Sequence, residues 1–299
     1  DQHLTALASA ERFARVGELD LCYQTFGAEQ DPALLMVMGL GTQMVMWDDE
    51  LCETLADRGL RVIRFDNRDI GRSTILRDRG VPTLRQTVLR DQRAARYSLD
   101  DMAADAVGLL DHLGVESAHV AGASMGGMIA QLIAINQPAR ARSLVSIMST
   151  TGSHRVGLPS AGMIPLLLRR PRPDREGYVS DMVATLRAIG SKRYPSETDR
   201  LRGLAERCYE RGHDRSGTPR QLAAIQTARD RTAELGRLRL PAAVIHGADD
   251  PLIRVSGGRA TAKAIPDARL LVLEGMAHDL PRPLWPQIVE TIVQTTEAA

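Results

Sequence analysis

Apolar residues along this chain fall into short unbroken runs closed by turn residues. Ala33 to Met38 reads ALLMVM and stops at Gly39-Leu40-Gly41. A run of that length bounded by glycine fits a strand buried on both faces. Comparable runs predict strands at Glu18–Phe26, Arg61–Phe65, Ser117–Ala121, Arg142–Met148, Ala242–His246 and Ala268–Leu273. Helical spacing falls between them. Asp48–Arg58 stops at Gly59, and Leu99–Leu113 stops at Gly114 with Ser98 or Asp100 placed to cap its start. Further helices are predicted at Met125–Asn136, ended by Pro138, at Val255–Ile265 and at Leu284–Thr295.

Strands alternating with helices predict an α/β fold: a mostly parallel central sheet flanked by helices on both faces. The alternation breaks once for a long stretch. Residues 151–239 show no clear strand, contain six prolines and carry several short helical patterns. The expectation is a core of residues 1–150 and 240–299 with a helical cap, or lid, of residues 151–239 inserted between two core strands. Residues 76–97 form a second, smaller excursion.

Composition narrows the function classes. The chain has 299 residues, 43% of them hydrophobic and 25% charged, as in an ordinary globular protein. A net charge of +1 gives no electrostatic case for nucleic acid or an anionic membrane surface. No stretch approaches the ~20 apolar residues of a membrane span. The opening DQHLTALASA lacks the basic start and apolar run of a signal peptide, so the expected location is cytoplasmic. The three cysteines, Cys22, Cys52 and Cys208, are odd in number and widely spaced, which suggests neither a disulfide framework nor a zinc site. Lysine occurs only at Lys192 and Lys263, and the arginines of 151–239 are expected to form a solvated surface. Oligomeric state is not legible.

The chemistry centres on Gly122-Ala123-Ser124-Met125-Gly126-Gly127, between a predicted strand and a predicted helix. Ser124 could be a helix N-cap. It could equally be a nucleophile on a tight strand-to-helix turn, where small neighbours let the backbone approach closely. A serine nucleophile needs a base, and the base a carboxylate, in the chain order Ser, Asp or Glu, His. Downstream, Asp249-Asp250-Pro251 follows one predicted strand and Gly275-Met276-Ala277-His278 follows the last. His278 sits in a loop and is the candidate base. His246 ends an apolar strand and reads as structural, while His3, His112, His119, His154 and His213 have no comparable setting. Pro251 fixes the turn after the two aspartates and leaves both open as the acid. An oxyanion hole needs two backbone N–H groups. Met125 after the serine and Leu40 in the Met38–Gly41 loop are the expected donors. A dinucleotide fingerprint is disfavoured, because Met44 stands where a third glycine belongs. Met36 and Met148 read as core filler; Met44 and Met46 fit either core or an apolar pocket.

MGLG at 38–41, FDNRDIGRS at 65–73, GASMGG at 122–127, HGADDP at 246–251 and GMAH at 275–278 together resemble the α/β-hydrolase fold superfamily. Within it the chain is similar to the bacterial serine esterases that include aclacinomycin methylesterase, which also carry Met-Gly in the oxyanion loop. The resemblance covers roughly 11–150 and 240–299. It implies a Ser124, Asp250, His278 triad, with Asp250 preferred over Asp249, and backbone donors at Leu40 and Met125. It also implies a helical cap, a mostly structural role for Asp66, Arg68 and Gly71, and neither metal nor organic cofactor. The implied activity is carboxylic ester hydrolysis of a small molecule. A lactonase, thioesterase, perhydrolase or carbon–carbon bond hydrolase on the same triad is the alternative, and a non-enzymatic receptor is a more distant one. Serine rather than aspartate at 124 argues against dehalogenase and epoxide hydrolase chemistry.

Overall fold

A computed structural model describes residues 8–167, 169 and 172–299. His3 therefore lies outside the described residues. Eight strands form one sheet in the order β1-β2-β4-β3-β5-β6-β7-β8. They are β1 (Arg12–Val16), β2 (Leu19–Phe26), β3 (Ala33–Val37), β4 (Arg61–Phe65), β5 (Ala118–Ala123), β6 (Ala141–Ile147), β7 (Ala242–Gly247) and β8 (Arg269–Leu273). Strands β1 and β2 run antiparallel to their neighbours, and β3 to β8 are parallel.

Helices α1 (Asp49–Asp57), α2 (Leu84–Val88), α3 (Leu99–His112) and α4 (Met125–Asn136) come before β6. Ser98 caps α3 in a reciprocal box with Asp101. Between β6 and β7 lie α5 (Ile164–Leu167), α6 (Arg175–Ile189), α7 (Thr198–Arg211), α8 (Thr218–Gln226) and α9 (Thr232–Leu235), with no strand among the described residues. Helices α10 (Val255–Ala264) and α11 (Trp285–Glu297) complete the chain.

Alternate residues of each inner strand point to opposite faces. Leu35, Val37, Ile63 and Val120 pack with α3 and α4, while Leu34, Met36, Val62 and Ala121 pack with α1 and α11. Each fully buried aliphatic side chain stabilises the fold by about 1.5–3 kcal/mol, which is why the inner strands read as unbroken apolar runs.

Strand β1 was not predicted. Its sequence, RFARV, buries only Ala14 and carries no apolar run. It forms through a hairpin in which Val16 pairs with Leu19 across Gly17, whose φ is +57°. Strand β5 runs two residues further than its apolar stretch, because Gly122 and Ala123 continue the ladder to β6.

The arginines of 151–239 are not all solvated surface. Arg211, Arg220 and Arg231 are buried. Arg220 makes two bonds to Asp69, at 2.8 and 2.9 Å, and Arg211 Nη2 lies 2.8 Å from Asp66. Arg68 is paired with Asp105 at 2.6 and 2.7 Å. Composition could not separate these arginines from exposed ones: the carboxylate partners of Arg211 and Arg220 lie 145 and 151 positions away in the chain, and Arg231 is held by Gln131 and the Thr150 carbonyl. Asp66 also accepts the N–H groups of Met44 and Arg72. Gly71 leaves room for it, since a Cβ there would lie 2.4 Å from Asp66 Oδ2. Cys22, Cys52 and Cys208 are buried free thiols. No helix among the described residues is long and apolar enough to cross a membrane.

Removing one member of a buried ion pair strands the other charge. Asp69→Asn is therefore expected to destabilise the protein by about 3–5 kcal/mol in urea unfolding. Asp91→Asn, at an exposed Asp91–Arg93 contact, should leave the midpoint unchanged. Equal effects would contradict this account of the buried pairs.

Candidate active site

Ser124 occupies the turn from β5 into α4. Its φ is +57° and ψ −122°, a strained conformation for a residue with a side chain. Glycines make the turn possible. A Cβ on Gly122 would lie 2.0 Å from the Gly126 carbonyl oxygen, and one on Gly126 would lie 2.0 Å from that of Val37. The turn is held on both sides. Ser124 N–H donates to Ile147 O at 2.9 Å, and Ser149 Oγ donates to Ser124 O at 2.8 Å.

Ser124 stands at the N-cap position of α4, yet its side chain accepts no helix N–H. Its Oγ lies instead 3.0 Å from His278 Nε2. His278 Nδ1 lies 2.8 Å from Asp250 Oδ2. The carboxylate can only accept, so Nδ1 carries the proton and Nε2 is free to accept from the serine. Asp250 Oδ1 accepts the N–H groups of Leu252 and Ile253, each at 2.9 Å. Asp250 and His278 are buried; Asp249 is exposed and contributes only a backbone bond, to Met276 O. The geometry thus brings Asp250, and not Asp249, to the imidazole.

Met125 follows the serine, and Leu40 follows Gly39, which packs against it. Gly41 N–H donates to Gln221 Oε1 at 2.8 Å and Thr42 N–H to Gly39 O at 3.4 Å. The N–H groups of Leu40 and Met125 have no acceptor among the described residues. Gly39 brings the loop against the serine, since a Cβ there would lie 3.1 Å from Ser124 Cβ.

No other histidine is bonded to Ser124 among the described residues, although His246 Nε2 lies 3.5 Å from Asp250 Oδ2. His246 Nε2 donates to Ile253 O at 2.7 Å, and burial holds its pKa below the ordinary value. His119 is buried against Ser143, and burial, with help from Arg142, lowers it to about 4. His154 and His213 are exposed.

Above the serine lies a cavity of roughly 1060 Å³. Leu40, Met38, Met46, Met128 and Met148 line it from the core side, and Met182, Leu186, Leu204, Leu222 and Ile225 from the helical segment. Met46 is thus a pocket residue. Met44 is packed in the core with Tyr178 and Val179. Met148, read as filler, is both buried in the core and part of the cavity wall.

Sequence reasoning missed Ser191, Gln221 and Asp279. Asp279 follows His278 and faces the cavity, and burial raises its pKa above the usual carboxylate range against the two hydrogen bonds it accepts from Ser191. Adjacency to His278 was the available signal for Asp279. Nothing local marks Ser191 or Gln221, whose partners are distant in sequence.

With this geometry established, comparison with known proteins places the chain. The family described as alpha/beta hydrolase fold matches residues 32–281. A rhodomycin D methylesterase of Streptomyces sp. (strain C5) is 29% identical over 94% of this chain and 96% of its own. A 3-oxoadipate enol-lactonase of Acinetobacter baylyi is 27% identical over 86% of each chain. Among solved structures, a hydrolase from Pseudomonas aeruginosa is similar with a TM-score of 0.71 and 26% identity, covering 97% of this chain and 98% of that one.

The close approach at the turn sets a test. Gly126→Ala is expected to destabilise the protein by about 3 kcal/mol or more, because the new methyl must push β3 from α4. Gly203→Ala, in α7 with open space around it, should stabilise by up to about 1 kcal/mol. Thermal unfolding of both variants checks the pair. A neutral Gly126→Ala would remove the steric argument.

Proposed function

The chain belongs to the α/β-hydrolase fold family, and from that premise we propose that it is a carboxylic ester hydrolase acting through Ser124, His278 and Asp250. One observation carries the reading: the unbroken contact from Ser124 Oγ to His278 to Asp250, at 3.0 and 2.8 Å, at the foot of a large cavity.

In the first step Ser124 Oγ attacks the ester carbonyl carbon while its proton passes to His278 Nε2. The carbonyl oxygen becomes an oxyanion and accepts from the N–H groups of Leu40 and Met125. Each such donor contributes about 3 kcal/mol to the transition state. The tetrahedral centre collapses, the carbon–oxygen bond to the alcohol breaks, and His278 returns its proton to the leaving oxygen. Water then adds to the acyl-enzyme as His278 takes its proton. Collapse of the second tetrahedral centre restores Ser124 and releases the acid. Asp250 holds the imidazole tautomer and stabilises the imidazolium that forms twice in the cycle.

The cavity volume and its apolar wall support an ester with a bulky, mainly apolar acyl or alcohol part. We assign residues 151–239 as a cap that selects it, since this segment supplies much of the wall. The methylesterase relative is named for rhodomycin D; for this chain the proposal is the bond class and the size of the group. The enol-lactonase relative supports the neighbouring reading, lactone opening on the same triad. Hydrolysis of matched ester and lactone substrates separates the two.

Ser124→Ala is expected to lower kcat on p-nitrophenyl esters by a factor on the order of 10⁶ without loss of fold. Asp250→Asn should cost roughly 10³- to 10⁴-fold, and Asp249→Asn less than about threefold. Substantial activity in a clean Ser124→Ala preparation would exclude the mechanism, and the reverse aspartate ranking would move the acid. Replacing 151–239 with the matching segment of a related esterase should change the acyl-chain preference. An unchanged profile would remove the cap assignment.

A further inference from the structure

The helical segment between β6 and β7 does more than close the cavity. It is hydrogen-bonded to each of the three core pieces that meet at Ser124, through side chains and backbone groups that the triad does not use.

The first piece is the oxyanion loop. Gln221, in α8, is fully buried. Its Oε1 accepts the Gly41 N–H at 2.8 Å, and its Nε2 donates to Arg68 O at 2.8 Å. Of the three successive N–H groups at 40, 41 and 42, this bond occupies the middle one. Gly41 has φ +62°, and the Leu40–Gly41 peptide plane is set by where that N–H points. Fixing it leaves the Leu40 N–H as the one without an acceptor among the described residues.

The second piece is the histidine loop. Ser191, just past the end of α6, is buried. Its N–H donates to Asp279 Oδ2 at 3.0 Å, and its hydroxyl donates to Asp279 Oδ1. Its Oγ accepts the Ala277 N–H at 2.8 Å. Next to it, Ile189 O accepts the His278 N–H at 2.9 Å. Residues 277, 278 and 279 are therefore all tied to residues 189–191.

The third piece is the nucleophile helix. Arg231, buried just before α9, donates through Nε to Gln131 Oε1 in α4 at 2.9 Å and through Nη2 to Thr150 O at 3.0 Å. The first tie is anchored on both sides, because α7 and α8 are joined to the core through the buried Arg211–Asp66 and Arg220–Asp69 pairs.

We propose that this segment positions the catalytic groups themselves, with Gln221 aiming the Leu40 N–H through Gly41 and Ser191 holding the His278 loop. The inference rests on the ester hydrolase reading and adds to it. Gln221 and Ser191 are positioning residues, since neither touches the reacting atoms. An error of about 1 Å in such an array can cost on the order of 100-fold in rate.

The test is steady-state hydrolysis of p-nitrophenyl esters by the full chain, run with binding of an alkyl trifluoromethyl ketone, which forms a tetrahedral oxyanion on an active serine. Gln221→Leu is expected to lower kcat about 10- to 100-fold with KM within about threefold. It should weaken the ketone by a similar factor while leaving a neutral alcohol inhibitor unaffected. Ser191→Ala is expected to lower kcat and the rate of fluorophosphonate inactivation together, by about tenfold. Ser191→Thr, which keeps the hydroxyl, should restore both. A merely structural role would lower thermal stability and leave kcat and ketone affinity of the folded fraction intact. That result in the folded Gln221 and Ser191 variants would overturn the inference, with the Ser191 pair deciding it if Gln221→Leu does not fold. Wild-type turnover and labelling at Ser124 in the same series keep the two claims apart, because their absence would overturn the hydrolase reading and this inference with it.

Discussion

Two absent methyl groups determine where the serine stands. Gly122 and Gly126 let β5, the start of α4 and the end of β3 approach within distances that no Cβ tolerates. Only with that approach can the chain leave the sheet, reverse at Ser124 with positive φ and enter the helix within a few residues. The strain at Ser124 is held by its backbone bonds to Ile147 and Ser149 and by a helix whose residues from Met125 to Ala134 are all buried. A strained residue persists only where its surroundings over-determine it. Here the surroundings direct the hydroxyl away from the helix and toward an imidazole.

The Met38–Gly41 loop depends on a second feature, the charged seam between the core and the helical segment. Asp66 and Asp69 are buried with Arg211 and Arg220 as partners. Burying such pairs carries a desolvation penalty that their attraction offsets only with good geometry and additional hydrogen bonds. Asp69 has them, from Tyr97 at 2.7 Å and from the Leu76 N–H at 2.7 Å. What the seam supplies is register: it fixes α7 and α8 over the Met38–Gly41 loop, so that Gln221 meets Gly41. The cavity roof and the Gln221 contact with Gly41 are consequences of one docking.

The core was legible because its signals are local. ALLMVM and its counterparts carry strand burial in composition alone, Ser98 and Gly114 mark both ends of α3, and GASMGG places the serine on its turn. The chain order of serine, aspartate and histidine led to His278, but the choice of Asp250 over Asp249 came from family resemblance, because two adjacent aspartates look alike until burial separates them. Strand β1 was not legible, since its pairing with β2 buries only Ala14. Nor were the roles of Arg211, Arg220, Gln221 and Ser191. Each is defined by a partner 86 to 180 positions away, and nothing in its neighbourhood distinguishes it from an exposed polar residue.

The central claim is that Ser124 is an activated nucleophile and not a helix cap. Fluorophosphonate labelling followed by intact mass and peptide mapping tests it most directly. The account predicts one adduct per chain, located on Ser124, forming in step with loss of p-nitrophenyl ester hydrolysis. An unlabelled Ser124 in a folded protein, or an adduct elsewhere that tracks the activity, would contradict it.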